Sequence, residues 1–97
     1  MNYNIQIELL DKEIMADGNK IAISGMAHFR VSPKRIGLGR LSLDLFKKFS
    51  DKPIVGFVAD DNILSFYIKC GWFECGEFDG LKAVSSVPMK AIFMEKW

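Results

Sequence analysis

The chain has few of the residues that small proteins use to bind metals or form disulfides. Its 97 residues include one histidine and two cysteines. A structural zinc site takes four such ligands in a recognisable spacing, so the sequence predicts no metal. Cys70 and Cys75 lie five residues apart, and we expect free thiols in the core or on the surface rather than a disulfide.

Long hydrophobic runs and an excess of charge of one sign are also missing. The net charge of +1 gives no electrostatic reason to bind nucleic acid or an anionic membrane. The longest apolar runs, such as residues 54–59, are far shorter than the roughly 20 residues that span a bilayer. The first residues contain no basic region followed by an apolar one, which argues against a signal peptide. We therefore expect a cytoplasmic protein with no nucleic-acid or membrane partner.

The composition favours one folded domain over residues 1–97, because 49% of the residues are hydrophobic. Ile5, Ile7 and Leu9 alternate with polar residues, which is typical of a strand. Asp17-Gly18-Asn19 then provides a turn before a second strand that runs from Ile21 to Val31. The first third of the chain is thus predicted to be antiparallel.

The remaining residues alternate between helix and strand patterns. Residues 37–49 are predicted to form an amphipathic helix, and residues 54–59, apolar on both faces, a buried parallel strand in the middle of the sheet. Asp60 or Asp61 is expected to cap a second helix that ends at Gly71. Two antiparallel strands follow. The predicted fold class is α/β of the mixed α+β type, with a central strand-helix-strand-helix-strand unit. The apolar positions of the first helix are Leu38, Leu41, Leu45, Phe46 and Phe49.

Residues 31–41 place Gly37 and Gly39 where the period changes from that of a strand to that of a helix. Glycine allows positive φ, and the absence of side chains lets an anion approach the first free N–H groups of the helix. This segment therefore predicts a binding site for a pyrophosphate or a similar group.

Four local features together resemble the GNAT acetyltransferase superfamily over about residues 20–75. Residues 25–33 resemble the family's fourth strand, and Lys34-Arg35-Ile36-Gly37-Leu38-Gly39 resembles its pyrophosphate loop. Asn62 and Phe66-Tyr67-Ile68-Lys69-Cys70-Gly71-Trp72 resemble its second cofactor motif. Pro33 lies two residues closer to Gly37 than is usual in the family, and the first strand and two helices of the family have no counterpart in these residues.

The resemblance implies that acetyl-coenzyme A lies between two splayed parallel strands, which here are residues 29–31 and 54–59. The loop amides would bind the pyrophosphate, and the free edge of the earlier strand would pair with the pantetheine arm. The implied cofactor-binding residues are Phe29, Arg30, Val31, Lys34, Arg35, Ile36, Gly37, Leu38, Gly39, Arg40, Asn62 and Tyr67.

The resemblance also implies catalytic residues. Tyr67 occupies the position at which the family often places a tyrosine that protonates the leaving thiolate, and a phenol with a pKa near 10 is protonated at pH 7. His28 lies where many members carry a catalytic base, and imidazole suits that work. Both have alternatives: Tyr67 packs on the sheet, or His28 has no catalytic role. Glu74 and Glu77 are weaker candidates, and Trp72 is expected in the core.

The sequence thus leads to two main functional hypotheses. The first is an N-acetyltransferase that moves an acetyl group from acetyl-coenzyme A directly to a primary amine, with no metal. The second is a catalytically weak module of the same fold that binds acyl-coenzyme A or a partner protein. A homodimer through Phe73, Phe78, Phe93 and Trp97 could replace the missing acceptor wall. An unrelated small α/β domain with an accidental glycine pair is the third reading.

Overall fold

A computed structural model describes residues 3–32 and 37–97 of the chain. They form one mixed six-stranded sheet, in the order β4-β5-β3-β2-β1-β6, and two helices. This confirms the predicted α+β class and element order, with a short last strand that the sequence analysis did not predict. The elements are β1 (Asn4–Ala16), β2 (Asn19–Ser32), α1 (Leu38–Phe49), β3 (Ile54–Val58), α2 (Asp61–Lys69), β4 (Phe73–Phe78), β5 (Leu81–Ser85) and β6 (Ala91–Ile92).

Strands β1 and β2 form a long hairpin around a two-residue turn. Asp17 and Gly18 both have positive φ, at 52° and 82°, and Ala16 pairs with Asn19 across the turn. Asp-Gly favours this turn type because glycine and aspartate tolerate the left-handed region, and its twist matches that of the strands. The predicted antiparallel start of the fold is confirmed.

Strand β3 lies inside the sheet, as its apolar sequence predicts. It pairs in parallel with β2 and antiparallel with β5, and Ile54 and Val55 are fully buried. The predicted C-terminal antiparallel pair is β4 and β5, with β5 inserted between β3 and β4. Asp60 caps α2 by accepting a hydrogen bond from the Asn62 N–H at 2.6 Å, and Gly71 ends it in the left-handed region at φ 84°.

A β-bulge interrupts the hairpin near the end of β2. Gln6 pairs with Arg30 and Glu8 with Ala27, so one residue of β1 lies opposite two residues of β2. His28, in the bulge, has φ 56°. Pairing between β2 and β3 ends at Met26, just before this bulge. The last residues of β2, after Met26, therefore continue without β3 beside them. This leaves space between the end of the strand and the helices.

Both helices pack on one face of the sheet, and the orientation of α1 differs from the sequence prediction. Leu43 is fully buried and Phe46 is partly buried against the core. Leu41, Leu45 and Phe49, predicted to face the core, are exposed, with Phe49 at 76%. The apolar side of α1 is wider than its contact with the sheet, and periodicity alone does not indicate which part of that side is covered.

The C-terminal segment covers the opposite face. The Phe57 ring contacts Phe93 and Trp97 with ring centroids 5.0 and 4.9 Å apart, and the Trp97 indole N–H donates to the Val55 carbonyl at 3.3 Å. Phe93 is only 6% exposed. The hypothesis that Phe93 provides dimer surface is therefore wrong, because the chain after β5 returns across this face to pair β6 with β1.

Gly76 marks a close approach between β4 and the C-terminal segment. A Cβ atom at this position would lie 2.7 Å from the Ala91 carbonyl oxygen and 3.1 Å from the Phe93 ring. We expect Gly76→Ala to lower the free energy of unfolding by about 1–3 kcal/mol, because backbone must move to relieve the overlap. Urea unfolding followed by circular dichroism measures this loss. Gly80→Ala adds a methyl group where a Cβ meets open space but φ is 80°, so its loss of stability measures backbone strain without a steric overlap.

Neither α1 nor α2, the helices of the described residues, is long and apolar enough to cross a membrane.

Candidate functional site

A groove lies where the end of β2 separates from β3. Its volume is about 680 Å³, and it is open to solvent on one side. The walls come from the end of β2, the start of β1, the first turn of α1 and one side of α2. The lining residues are Asn4, Gln6, Phe29, Arg30, Val31, Ser32, Gly37, Gly39, Arg40, Ile63 and Phe66.

The N-terminus of α1 forms one end of this groove. Gly37 is the N-cap, with φ 81° in the left-handed region, and no side chain caps the helix. The first turn contains no acidic residue. The Leu41 N–H donates to the Gly37 carbonyl at 3.0 Å, so the amides of Leu38, Gly39 and Arg40 precede the first helical hydrogen bond. Free amides and the positive end of the helix dipole favour an anion at this position.

Two arginines add positive charge to the same groove. Arg30 on β2 and Arg40 on α1 are both exposed and line it. Neither forms an ion pair within residues 3–32 and 37–97. Phe29, Val31 and Phe66 supply an apolar part of the wall. The groove therefore combines an end whose charge and free amides favour an anion with an apolar stretch of wall.

Half of the predicted cofactor-binding residues line this groove. Of the others, Leu38 is the first residue of α1, and Asn62 lies in the first turn of α2 beside the groove residue Ile63. Lys34, Arg35 and Ile36 lie outside the described residues, as does Pro33. The six groove residues that were predicted are Phe29, Arg30, Val31, Gly37, Gly39 and Arg40.

Sequence reasoning missed five residues of the groove. Ile63 and Phe66 lie three residues apart on α2, so they share a helix face, and that spacing was visible in the sequence. Asn4 pairs with Ser32 and Gln6 with Arg30, which places these polar residues next to each other on two strands. That register depends on the bulge at His28, and no residue pattern indicated a bulge.

Tyr67 is buried in the core rather than placed in the groove wall. It is 5% exposed, and its ring contacts Trp72 at 5.5 Å and Phe66 at 5.9 Å between centroids. Burial raises the pKa of the phenol well above its ordinary value of 10.0, with a smaller contribution from Cys70. Tyr67 therefore stays protonated throughout the neutral range. It does not line the groove, although Ile63 and Phe66 on the same helix do.

The raised pKa of Tyr67 predicts a loss of stability at alkaline pH. The fold favours the neutral phenol, so its contribution is complete below the unfolded pKa near 10 and is lost as the pH rises above that value. The free energy of unfolding should fall by up to about 1.4 kcal/mol per pH unit for this group. We expect Tyr67→Phe to remove this part of the dependence in urea unfolding measured between pH 9 and 12.

Buried thiols contribute to the same alkaline range and must be separated from the tyrosine. Burial raises the pKa of Cys75 to about 12 and raises that of Cys70. Their contributions begin to decline near pH 9, before that of Tyr67. An absorbance titration of the wild type and of Tyr67→Phe provides a second readout, because burial raises the pKa of Tyr67 and its phenol should ionise only on unfolding. A phenol signal that titrates near pH 10 in the folded protein and is missing in Tyr67→Phe would contradict this assignment.

His28 is exposed in the β-bulge and does not line the groove. Its side chain is 74% exposed, and Nε2 lies 3.8 Å from a Glu8 carboxylate oxygen. The structure therefore does not bring His28 and Tyr67 together at the groove. Glu74 and Glu77, the weaker candidates, are exposed and form ion pairs with Lys82 at 3.5 and 3.3 Å.

The remaining predicted features are structural. Cys70 and Cys75 are free and buried, and Trp72 is 2% exposed in the core, as expected. Within the two described ranges, no group of three or more histidine, cysteine, aspartate or glutamate side chains is arranged to hold a metal ion.

Comparison with known proteins does not assign the chain to a family. No family model matches it, no curated protein matches it, and no solved structure matches it.

Proposed function

We propose that the groove binds acyl-coenzyme A and that the protein transfers the acetyl group to a primary amine. One observation supports this most strongly: the start of α1, which begins at a glycine and has no side-chain cap, and the end of β2, which no longer pairs with β3, line one groove. The pyrophosphate would accept hydrogen bonds from the amides at the start of α1. Arg30 and Arg40 would add ionic contacts, modest in size because solvent screens them.

The pantetheine arm matches the rest of the groove. Its amides would pair with the β2 backbone beyond Met26, in the way that an added strand pairs with a sheet edge. Its methylene groups would pack on Phe29 and Phe66. Acyl-coenzyme A would therefore use both parts of the groove, the start of α1 and the free edge of β2. A simple phosphate would use only the start of α1.

Transfer to an amine requires two proton movements. A lysine-like amine is protonated at neutral pH and must lose a proton before its nitrogen attacks the thioester carbonyl. The carbon–sulfur bond then breaks, and the leaving thiolate takes up a proton. We propose His28 as the base and Tyr67 as the proton donor. Because neither lines the groove, each would need to reach the reacting atoms through water or a local movement.

The same observation favours a second candidate function. A groove that holds acyl-coenzyme A without an acid or base in its wall is a binding module with weak catalysis. The two functions share the ligand and differ in turnover.

An assay of thiol release from acetyl-coenzyme A, with a panel of small amines and peptide amines, separates them. Transfer predicts amine-dependent release, with lower turnover in Tyr67→Phe and an altered pH profile in His28→Ala. Tyr3→Phe is the matched tyrosine control, because Tyr3 is 65% exposed and lies outside the groove. Binding without amine-dependent release would support the module. Unchanged turnover in both variants would refute the two catalytic assignments and leave the binding proposal intact.

A further inference from the structure

The outer edge of β1 is open over most of its length. β6 pairs with β1 only at Met15 and Ala16, so residues 4–13 have no strand on that side within the described residues. Open, regular strand edges bind other strands readily, and proteins usually protect them with bulges or charges. The opposite edge strand of this sheet, β4, carries a bulge of its own between Glu74 and Gly76. β1 has exposed charged residues but no extra residue in the strand itself, because the extra residue of its bulge lies on β2.

The open edge also presents apolar side chains on the helix side of the sheet. Ile5 is 44% exposed and Leu9 is 48% exposed, with Ile7 between them partly buried against the core. Leu9 continues this apolar surface onto α1, because it lines a hollow of about 430 Å³ with Leu45 and Phe49. An exposed edge with a contiguous apolar face is a site for association.

We propose that β1 pairs antiparallel with β1 of a second copy of this chain, with the two Ile7 residues opposite each other on a two-fold axis. In this register Ile5 lies opposite Leu9 of the second copy, so the apolar residues match on one face. On the other face, Gln6 lies opposite Glu8 of the second copy, which lets the amide donate to the carboxylate. The interface is isologous, as closed dimers require.

Neighbouring registers fit less well. A pairing centred on Glu8 places two glutamates opposite each other and sets Ile5 against Asp11, and like charges directly opposite are destabilising. A pairing centred on Gln6 keeps an amide opposite a carboxylate, Asn4 against Glu8, but it pairs only residues 3–9 of the described chain and sets Leu9 against Tyr3. The register centred on Ile7 also fits beside β6, because residues 3–11 of each copy pair and the partner strand stays clear of Met15.

The proposed dimer is independent of the proposed function, but it affects the groove. Gln6 lines the groove, so the second copy would place its Glu8 at the groove's edge. Glu8 lies 3.8 Å from His28 in its own chain. The pairing therefore brings a carboxylate and an imidazole of the second copy toward a wall that the first copy leaves open.

Sedimentation velocity and cysteine cross-linking of the full chain test this inference. We expect a dimer in the micromolar range for the unmodified chain. Ile7→Cys should form a disulfide-linked dimer on mild oxidation, because each residue 7 faces its own copy at a separation that a disulfide can span. Cys70 and Cys75 are buried, so they should not contribute while the protein is folded.

Further variants make the outcome decisive. Leu9→Cys alone should not cross-link, whereas Ile5→Cys mixed with Leu9→Cys should form the mixed dimer. Gln6→Lys should tighten the dimer, because it places a lysine opposite Glu8 of the second copy, and Gln6→Glu should weaken it at least tenfold. A strict monomer at all concentrations would overturn the proposal. Cross-linking of Gln6→Cys in preference to Ile7→Cys would overturn the register.

Discussion

Trp72→Ala should lower the free energy of unfolding by about 3–5 kcal/mol, the typical cost of deleting a buried tryptophan. Trp72 is 2% exposed and follows the end of α2, where its own N–H closes the helix by donating to the Tyr67 carbonyl at 3.0 Å. Its ring packs on Tyr67 and belongs to the core cluster that contains Leu43 and Ile54. Small domains have a total stability of about 5–15 kcal/mol, so this variant should be close to unfolding.

Trp72→Phe is the matched control for this prediction. The Trp72 indole nitrogen is buried with no hydrogen-bond partner within residues 3–32 and 37–97. Burying such a group without a partner costs about 1–3 kcal/mol, and phenylalanine removes that cost while keeping most of the ring. The loss in Trp72→Phe should therefore be far smaller than in Trp72→Ala. Urea unfolding followed by far-ultraviolet circular dichroism compares them, and equal losses would contradict the account of this core.

Gly39→Glu should weaken binding of acetyl-coenzyme A about a hundredfold or more, if the proposed function is correct. That factor corresponds to about 2.7 kcal/mol. Gly39 lies in the first turn of α1 and lines the groove, and a Cβ atom there would sit 3.4 Å from the Phe66 ring. The added carboxylate would repel a pyrophosphate and occupy its space. Titration calorimetry with acetyl-coenzyme A measures the change.

The same substitution should not unfold the protein. An acidic residue in the first turn of a helix is favourable by about 0.3–1 kcal/mol, and replacing a helical glycine adds stability. Leu41→Glu is the control, because Leu41 is 53% exposed on the same helix and does not line the groove. Equal loss of binding in the two variants would indicate a general effect of charge and would contradict a pyrophosphate site at Gly39.

Local chemistry explains what could be predicted from the sequence. The Asp17-Gly18 turn, the Asp60 cap and the end of α2 at Gly71 depend on residues within a few positions of each other. The apolar run of β3 predicts its place in the sheet, because a strand buried on both faces needs no polar residues. Gly37 similarly predicts the left-handed backbone at the start of α1, because glycine adopts positive φ without strain.

Long-range packing explains what could not be predicted. Leu43 faces the core because of how α1 lies on the sheet. It is two residues from Leu41 and from Leu45, so it lies on a different side of the helix from the predicted apolar stripe. β6 has only two residues, too few to give a strand pattern, and its place depends on the path of the C-terminal segment. The position of His28 depends on a β-bulge. Residue spacing does not reveal a bulge, so it could not show that His28 lies outside the groove.

The central claim is that acyl-coenzyme A binds where α1 begins and β2 ends. Amide chemical shifts of isotope-labelled protein, recorded during titration with acetyl-coenzyme A, test this claim residue by residue. The account predicts saturable shifts for Gly37, Gly39 and Arg40 at the helix start and for Phe29 and Val31 on β2, with little change at the Asp79-Gly80 turn. No shifts at millimolar ligand, or shifts confined to residues outside the groove, would contradict it.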